Sequence, residues 1–258
     1  MPNTSATAAS SGTDLNGMAA LNAVEQIKAR LVEFATKTWG VTAAEVSFHA
    51  NHVFIGKDIL TFAAFIKQAY LARVQLSAAG FYKTPKIHWD RSTGKGRPFY
   101  YYAYGAAVSE VSVDTLTGEY QVDRADILHD VGKSLNPAID KGQIEGAFIQ
   151  GMGWLTTEEL WWDDKGMLRT HAPSTYKIPL ASDRPRSFNV KLADWSENRE
   201  MTIRRSKAVG EPPFMLGISA FMALSDAVSA CGDGFGDLQT PATAEAVLTA
   251  IGKARNAL

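Results

Sequence analysis

One carboxylate is placed where it could do chemistry. Glu211 lies between Gly210 and the pair Pro212 and Pro213, directly before a strongly apolar stretch. Proline fits the first turn of a helix, where its missing N–H costs nothing, so a helix is predicted to begin just after Glu211. A carboxylate at that end faces the positive pole of the helix dipole, and a helix-terminal charge is the ordinary structural explanation for it.

The residues that follow favour a second explanation for Glu211. The stretch FMLGISAFMALSDAV is apolar on nearly every side, so we expect its helix to be deeply buried. Burial would then favour the protonated carboxyl, while the helix end would favour the charged one. Such a balance suits a general base.

Histidine and cysteine patterns give weaker candidates. A zinc site needs about three or four converging ligands, and the histidines are scattered over separate segments: His49, His52, His88, His129 and His171. Cys231 is the single cysteine, with no histidine near it in sequence, so neither a disulfide framework nor a cysteine-held metal centre is expected. The nucleophile pattern G-x-S-x-G is absent, and STGKG lacks the spacing of a phosphate loop.

Two polar features suit the binding of a cofactor. The stretch SATAASSGTDLNG offers backbone N–H groups and hydroxyls with little steric bulk, which suits an anionic group, although a disordered leader is the alternative. Gln143, in KGQIEG, carries an amide that can donate and accept at once. An ordinary polar residue at the start of a helix is the alternative there.

The elements that must position these residues alternate between helices and hairpins. Apolar residues every three or four positions predict a helix over residues 18 to 37, and EVSFHANHVFIG predicts a hairpin. A second helix is predicted over residues 59 to 76, and a second hairpin around TLTG. Further helices are predicted over LNPAIDKGQIEGAFIQGMGWL, after Pro213, and over TPATAEAVLTAIGKA, with short strands between residues 161 and 203. This order indicates an α+β fold of mixed hairpins and packed helices.

Length and charge limit the possible functions. The 258 residues, 46% of them hydrophobic, suffice for one large domain or two small ones. A net charge of −1 gives no basic field for nucleic acid or for an anionic membrane. We find no signal peptide, and no apolar run that approaches the roughly 18–20 residues of a membrane span. A soluble, cytoplasmic protein is therefore expected.

Several long motifs carry a resemblance to a known family. SKAVGEPPFMLGISAFMALSDAV resembles a signature near the end of the molybdenum-cofactor subunit of xanthine dehydrogenases. The segments SATAASSGTDLNG, GFYKTPKIHWD, GAAVSEVSVDTLTGEY, LNPAIDKGQIEGAFIQGMGWLTTEEL and PSTYKIP agree in order and spacing. The chain is identified over nearly its whole length as a member of the xanthine oxidase/aldehyde oxidase family, and KIHWD and AGFYKTP favour xanthine dehydrogenase.

The resemblance implies a domain assignment. Residues 1–258 resemble one partial domain, the C-terminal part of the second molybdenum-cofactor-binding domain. Residues 1–17 would form a cofactor loop, and residues 232–258 a C-terminal tail with a short helix. The family's subunit is much longer, so we expect the chain to be a fragment that lacks the residues that grip the purine.

The resemblance also implies roles for individual residues. Glu211 would be the catalytic base, taking a proton beside a molybdenum centre. The pterin would be bound by a set of small and polar residues: Ala9, Ser10, Ser11, Thr13 and Gln143. Ala8 and Ala9 would line the pocket of the metal and the substrate. The molybdenum would be held by the dithiolene of the pterin, near Ala9, and by no side chain.

The implied activity is the oxidation of hypoxanthine and xanthine to urate, with water as the oxygen source. FAD and 2Fe-2S clusters would reside on other domains or subunits, with NAD as the acceptor. The partners would be the rest of the molybdenum subunit and an FAD/iron–sulfur subunit, in a hetero-oligomer. Two alternatives stay open: a hydroxylase of the same family for an aldehyde or another N-heterocycle, and a non-catalytic remnant or interaction module.

Overall fold

The computed structural model describes residues 10–234 and 236–255, which divide into two compact units. Residues 11–97 form the first unit. Ser10 and the described residues from Pro98 onward form the second. Both units combine helices with sheets, so the predicted α+β class is confirmed. The assignment of residues 1–258 to one partial domain of the family stays a prediction.

The first unit is a long helix with a three-stranded meander and a shorter helix. Its elements are α1 (Gly12–Trp39), β1 (Val46–His49), β2 (His52–Ile55), β3 (Asp58–Thr61), α2 (Phe62–Leu71), β4 (His88–Asp90) and β5 (Lys95–Arg97). Strands β1, β2 and β3 pair antiparallel in chain order, and β4 pairs with β5. The core of this unit is centred on Leu31 and Ala35 of α1, Val53 and Ile55 of β2, and Phe65 of α2.

The first helix and the first hairpin confirm the sequence predictions, with one change at the chain's start. Helix α1 begins at Gly12, six residues earlier than expected, so residues 12 to 17 are helical and do not form the predicted cofactor loop. The second predicted helix is too long at both ends. Residues Asp58–Thr61 pair with β2 instead, and the Oγ1 of Thr61 caps α2 by accepting the N–H of Ala64 at 3.2 Å. Arg73, with a φ of 61°, follows the helix end.

The second unit is a three-stranded sheet covered by helices. Strands β6 (Gly105–Val113) and β7 (Tyr120–His129) form the predicted hairpin around TLTG, and β8 (Ser187–Leu192) lies parallel beside β7. Helix α3 (Pro137–Thr156), a 3-10 helix (Pro212–Gly217), α4 (Ile218–Ser229) and α5 (Ala244–Arg255) complete it. Helices α3 and α5 confirm two sequence predictions, and α5 lies in the predicted C-terminal tail.

The core of the second unit lies between the sheet and α3. Val122, Ala125 and Ile127 of β7 are buried in one cluster with residues of α3, and a register shift opposite Glu110 and Val111 separates Val122 from the other two. Ile144 and Phe148 are the α3 residues at the centre of this contact, and both are fully buried. These contacts join α3 to the sheet.

The helix after Glu211 differs from the expectation. It consists of the 3-10 helix followed by α4, and α4 buries a single stripe made of Ala220, Leu224 and Val228. Met215 and Met222 are 53% and 59% exposed, so the prediction of burial on all sides is wrong. The stretch Pro212–Ser229 also has the length and composition to cross a membrane, contrary to our reading of the sequence. Its buried stripe against the core of this unit is the pattern of a core helix.

Candidate functional site

Backbone contact between α3 and the 3-10 helix positions the candidate site. A Cβ added at Gly151 of α3 would lie 2.0 Å from the carbonyl oxygen of Phe214, and one added at Gly217 would lie 2.4 Å from the N of Met152. Only glycine at both positions allows the two backbones to approach so closely. The rings of Trp154 and Phe214 meet edge to face beside this contact, at 4.8 Å between centroids. The start of the 3-10 helix is therefore held at a fixed place on α3.

Glu211 stands directly before that 3-10 helix. Its carbonyl accepts the N–H of Phe214 at 2.9 Å, while its carboxylate makes no capping bond to the helix. The Oε2 atom instead accepts the backbone N–H of Ser10 at 3.0 Å. The side chain is exposed in this chain, so the expected burial of Glu211 is wrong here. The carboxylate is oriented by a contact distant in sequence and stays open to a ligand or partner.

Gly210 brings the other predicted residues to the same place. A Cβ added at Gly210 would lie 2.6 Å from the Oγ of Ser10 and 3.3 Å from the Nε2 of Gln143. Helix α3 presents Gln143 there, and Asn136 caps the start of α3 by accepting the N–H groups of Ala138 and Ile139. Ser10, Gln143 and Glu211, predicted from three separate motifs, thus converge around one glycine.

Four further predicted residues lie outside the described residues or in the other unit. Ala8 and Ala9 lie outside the described residues. Ser11 and Thr13 belong to the other unit, at the start of α1, where the carbonyl of Ser11 accepts the N–H of Leu15. Their roles in cofactor binding, and those of Ala8 and Ala9 in the substrate pocket, stay predictions.

Sequence reasoning missed the residues that hold the segment before Glu211. The Nζ of Lys207 lies 2.5 Å from the Oδ2 of Asp130, and the hydroxyl of Tyr101 accepts the N–H of Ala208 at 2.8 Å. Burial alone would raise the pKa of Asp130, but hydrogen bonds from Lys207, the Gly132 N–H and Ser196 outweigh it and lower that pKa. The sequence gives no sign of this pairing, because Lys207 lies two residues after Arg205 and Asp130 lies three residues before Lys133, so neither charge stands alone.

Next to Asp130, His129 is 1% exposed. Burial lowers the pKa of His129, and this effect exceeds the opposing ones of the Tyr104 backbone and the Asp130 carboxylate. This histidine is therefore neutral at neutral pH. Among residues 10–234 and 236–255, no group of three or more His, Cys, Asp and Glu side chains is placed to hold a metal ion.

The converging residues fit a flat, hydrogen-bonding cofactor such as a pterin. The amide of Gln143 can both donate and accept, and the hydroxyl of Ser10 can do the same. Gly210 keeps the space between them free of a side chain, because a Cβ there would contact both groups.

Known proteins match this chain over most of its length. The family model of the molybdopterin cofactor-binding domain matches residues 1–185. Xanthine dehydrogenase 2 of Arabidopsis thaliana is 44% identical over 259 residues, which cover 96% of this chain and 18% of that protein. Xanthine dehydrogenase/oxidase of Rattus norvegicus is 44% identical over 257 residues, covering 97% of this chain and 18% of that protein. The chain thus spans less than a fifth of the length of these relatives.

Solved structures support the fold. A Cu,Mo-CO dehydrogenase has a TM-score of 0.80 at 20% identity, over 98% of this chain and 31% of that one. The aldehyde oxidoreductase from Desulfovibrio desulfuricans has a TM-score of 0.71 at 22% identity, over 96% and 24%. At these identities the likeness concerns the fold alone. Together with the family match over most of the chain, it confirms the resemblance stated from the sequence: this chain belongs to the molybdopterin cofactor-binding domain family.

Proposed function

We propose that this chain forms part of a molybdenum hydroxylase of the xanthine dehydrogenase type, an oxidoreductase that converts hypoxanthine and xanthine to urate with water as the oxygen source. The observation that carries the proposal is the convergence of Ser10, Gln143 and Glu211 around Gly210. The names of the relatives that are 44% identical support the same class of substrate.

The cofactor of this enzyme would be molybdenum–molybdopterin, which the family of the domain supports. When bound, it supplies the metal centre that accepts two electrons from the substrate. Gln143 would hold an edge of the pterin through its amide, and Ser10 would donate or accept through its hydroxyl. We assign Ala9, Ser11 and Thr13 to the same cofactor, and Ala8 and Ala9 to the substrate pocket, by resemblance.

Glu211 would act as the general base. The N–H of Ser10 donates to its Oε2 and fixes the orientation of the carboxylate, so Oε1 is left to take a proton. Glycine at position 210 keeps this carboxylate close to both cofactor-binding groups. The contact of the 3-10 helix with α3 keeps it in place while the proton is transferred.

The remaining components of the enzyme are proposals that follow from the resemblance. FAD and 2Fe-2S clusters on other domains or subunits would carry electrons to NAD. The chain would associate with the rest of a molybdenum subunit and with an FAD/iron–sulfur subunit, as a hetero-oligomer in the cytoplasm. No nucleic acid or membrane partner is proposed.

The test of the base is Glu211→Gln in the assembled enzyme. The amide keeps the shape of the side chain but cannot take a proton, so turnover of xanthine should be lost while molybdenum per chain stays unchanged. Glu245→Gln, at an exposed position in the first turn of α5, is the matched control and should leave turnover unchanged. Normal turnover by Glu211→Gln would refute the assignment.

Two measurements decide between this function and its alternatives. Molybdenum per chain should be near one in tagged protein purified gently from the native host, whereas its absence would favour the non-catalytic remnant or interaction module. A panel of purines, aldehydes and other N-heterocycles should give the highest kcat/KM with hypoxanthine or xanthine. A preference for an aldehyde would replace the substrate while keeping the reaction class.

A further inference from the structure

Among the residues that the structure describes, one ion pair stands out because both of its side chains are buried. The side chains of Lys207 and Asp130 are only 7% and 12% exposed, and their Nζ and Oδ2 atoms are 2.5 Å apart. The pair of Lys253 with Asp237 has side chains 52% and 62% exposed. Exposed pairs of that kind contribute about 0–1 kcal/mol and need no further explanation. A buried pair does need one.

Asp130, directly after the end of β7, makes several hydrogen bonds. Its Oδ1 accepts the N–H of Gly132 at 2.7 Å, and its own N–H donates to the carbonyl of Tyr104 at 2.8 Å. The ring of Tyr104 lies under the ammonium of Lys207, 5.3 Å from its centroid to Nζ. The charge of Lys207 is thereby fixed from two sides, by a carboxylate and by an aromatic face.

The backbone around Lys207 is joined to the same segment. The N–H of Lys207 donates to the carbonyl of Val131 at 2.8 Å, and Ser206 forms a bridge with Gly132. Gly132 has a φ of 61°, and a Cβ there would lie 2.4 Å from the carbonyl oxygen of Arg205. Glycine at this position is therefore required by the close approach of the two segments.

Stability alone does not account for such a pair. Removing two charges from water is costly, and replacing a buried pair by apolar side chains is often neutral or stabilising. What a buried pair with fixed partners supplies is one specific arrangement of the elements it joins. The elements joined here are the end of β7 and the segment that reaches Glu211 four residues later.

We propose that Lys207 and Asp130 are positioning residues for Glu211: their buried ion pair fixes the segment from Lys207 to Glu211, so that the carboxylate meets Ser10 while Gly210 lies beside Gln143. The segment is then held at both ends, by the ion pair before Glu211 and by the Gly151–Gly217 contact after it. This inference rests on the proposed function for the role of Glu211, but its test needs neither cofactor nor turnover.

The test is hydrogen exchange of the backbone amides in the 258-residue chain, followed by mass spectrometry. Lys207→Met removes the cation and keeps most of the stem, so exchange at the amides of residues 208 to 211 should be at least tenfold faster. Exchange in the β6–β7 hairpin should stay unchanged. Lys253→Met, the same substitution in an exposed pair, is the control and should alter neither region. Lys207→Arg keeps the cation and should restore slow exchange at residues 208 to 211.

Two results would overturn the proposal. One is unchanged exchange at residues 208 to 211 in Lys207→Met; the other is an equal acceleration throughout the second unit, which is what a merely stabilising pair would give. If Lys207→Met does not fold, Asp130→Asn gives the same comparison, because its amide oxygen still accepts from Gly132 but carries no charge for Lys207. The Glu211→Gln experiment is independent of this one, because turnover reports proton transfer whereas hydrogen exchange reports the order of the backbone.

Discussion

Substituting alanine for each of two glycines of α3 should change the free energy of unfolding in opposite directions. A Cβ at Gly151 would lie 2.0 Å from the carbonyl oxygen of Phe214, whereas a Cβ at Gly146 meets nothing within 4 Å. Both residues are inside one helix, so alanine gains the same helix propensity at each, about 1 kcal/mol. The difference between the two variants therefore isolates the contact with the 3-10 helix.

The magnitude follows from the shortfall in space at Gly151. The added Cβ would be roughly 1.4 Å short of the 3.4 Å at which ordinary van der Waals contact begins. The atom in the way belongs to backbone and cannot rotate aside, so the upper part of the usual overpacking cost of about 1–3 kcal/mol applies. After the propensity gain, Gly151→Ala should lower the free energy of unfolding by roughly 1–2 kcal/mol. Gly146→Ala should raise it by roughly 0.5–1 kcal/mol.

Urea denaturation monitored by tryptophan fluorescence would measure both changes. Trp154 packs on Phe214 at the contact itself and reports its loss. The midpoint of Gly151→Ala should move to lower urea and that of Gly146→Ala to higher urea, with equal m-values. If the two variants were equally stable, α3 and the 3-10 helix could not be in backbone contact. That result would contradict the placement of Gly210 and Glu211 near Gln143.

Three further substitutions test other parts of the second unit. Asn136→Ala removes the N-cap of α3 and should cost about 1 kcal/mol of unfolding free energy in the same urea assay. Tyr101→Phe leaves the N–H of Ala208 without its hydroxyl acceptor and should cost about 1–2 kcal/mol, whereas Tyr102→Phe, at a ring 59% exposed, should cost nothing measurable. The third substitution, at His129, tests how the free energy of unfolding depends on pH. Because burial lowers the pKa of His129 below its ordinary 6.5, this histidine is protonated in the unfolded chain at a higher pH than in the folded chain. The stability that depends on neutral His129 is thus present above pH 6.5 and lost below it, with a slope of at most about 1.4 kcal/mol per pH unit. His129→Leu should flatten that slope between pH 6.5 and 5, and an unchanged slope would contradict the assignment.

Local patterns in the sequence predicted the helices and hairpins, whose residues contact others close to them in sequence. Helix α1, the two hairpins and α3 follow from periods of 3.6 and 2 and from turn residues. The start of α2 was predicted wrongly because Ile59 and Leu60 suit either a helix or a strand. Their pairing with β2, where Leu60 faces Val53, decides the outcome. Strand β8 lies parallel to β7 although about 60 residues separate them, and no local pattern carries that pairing.

The sequence was enough to predict which residues belong to the candidate site, but not how they are arranged in space. Motifs pointed to Ser10, Gln143 and Glu211, but nothing in them shows that Gly210 is where the three meet. The pairing of Lys207 with Asp130 spans 77 residues and depends on where β7 ends. Contacts of this kind are set by tertiary packing, which single-sequence patterns do not contain.

The exposure of Glu211 is the most informative disagreement between sequence and structure. Its helix is apolar on nearly every side, yet this chain covers a single stripe of it and leaves Met215 and Met222 more than half exposed. A general base works best where water is excluded. The described residues of this chain fix the backbone before and after Glu211 but leave its side chain exposed. This chain spans 18% of the relatives that it matches, so under the proposed function a further polypeptide would supply the enclosure of Glu211. Under the proposed function, proton transfer by Glu211 would therefore require assembly with that polypeptide.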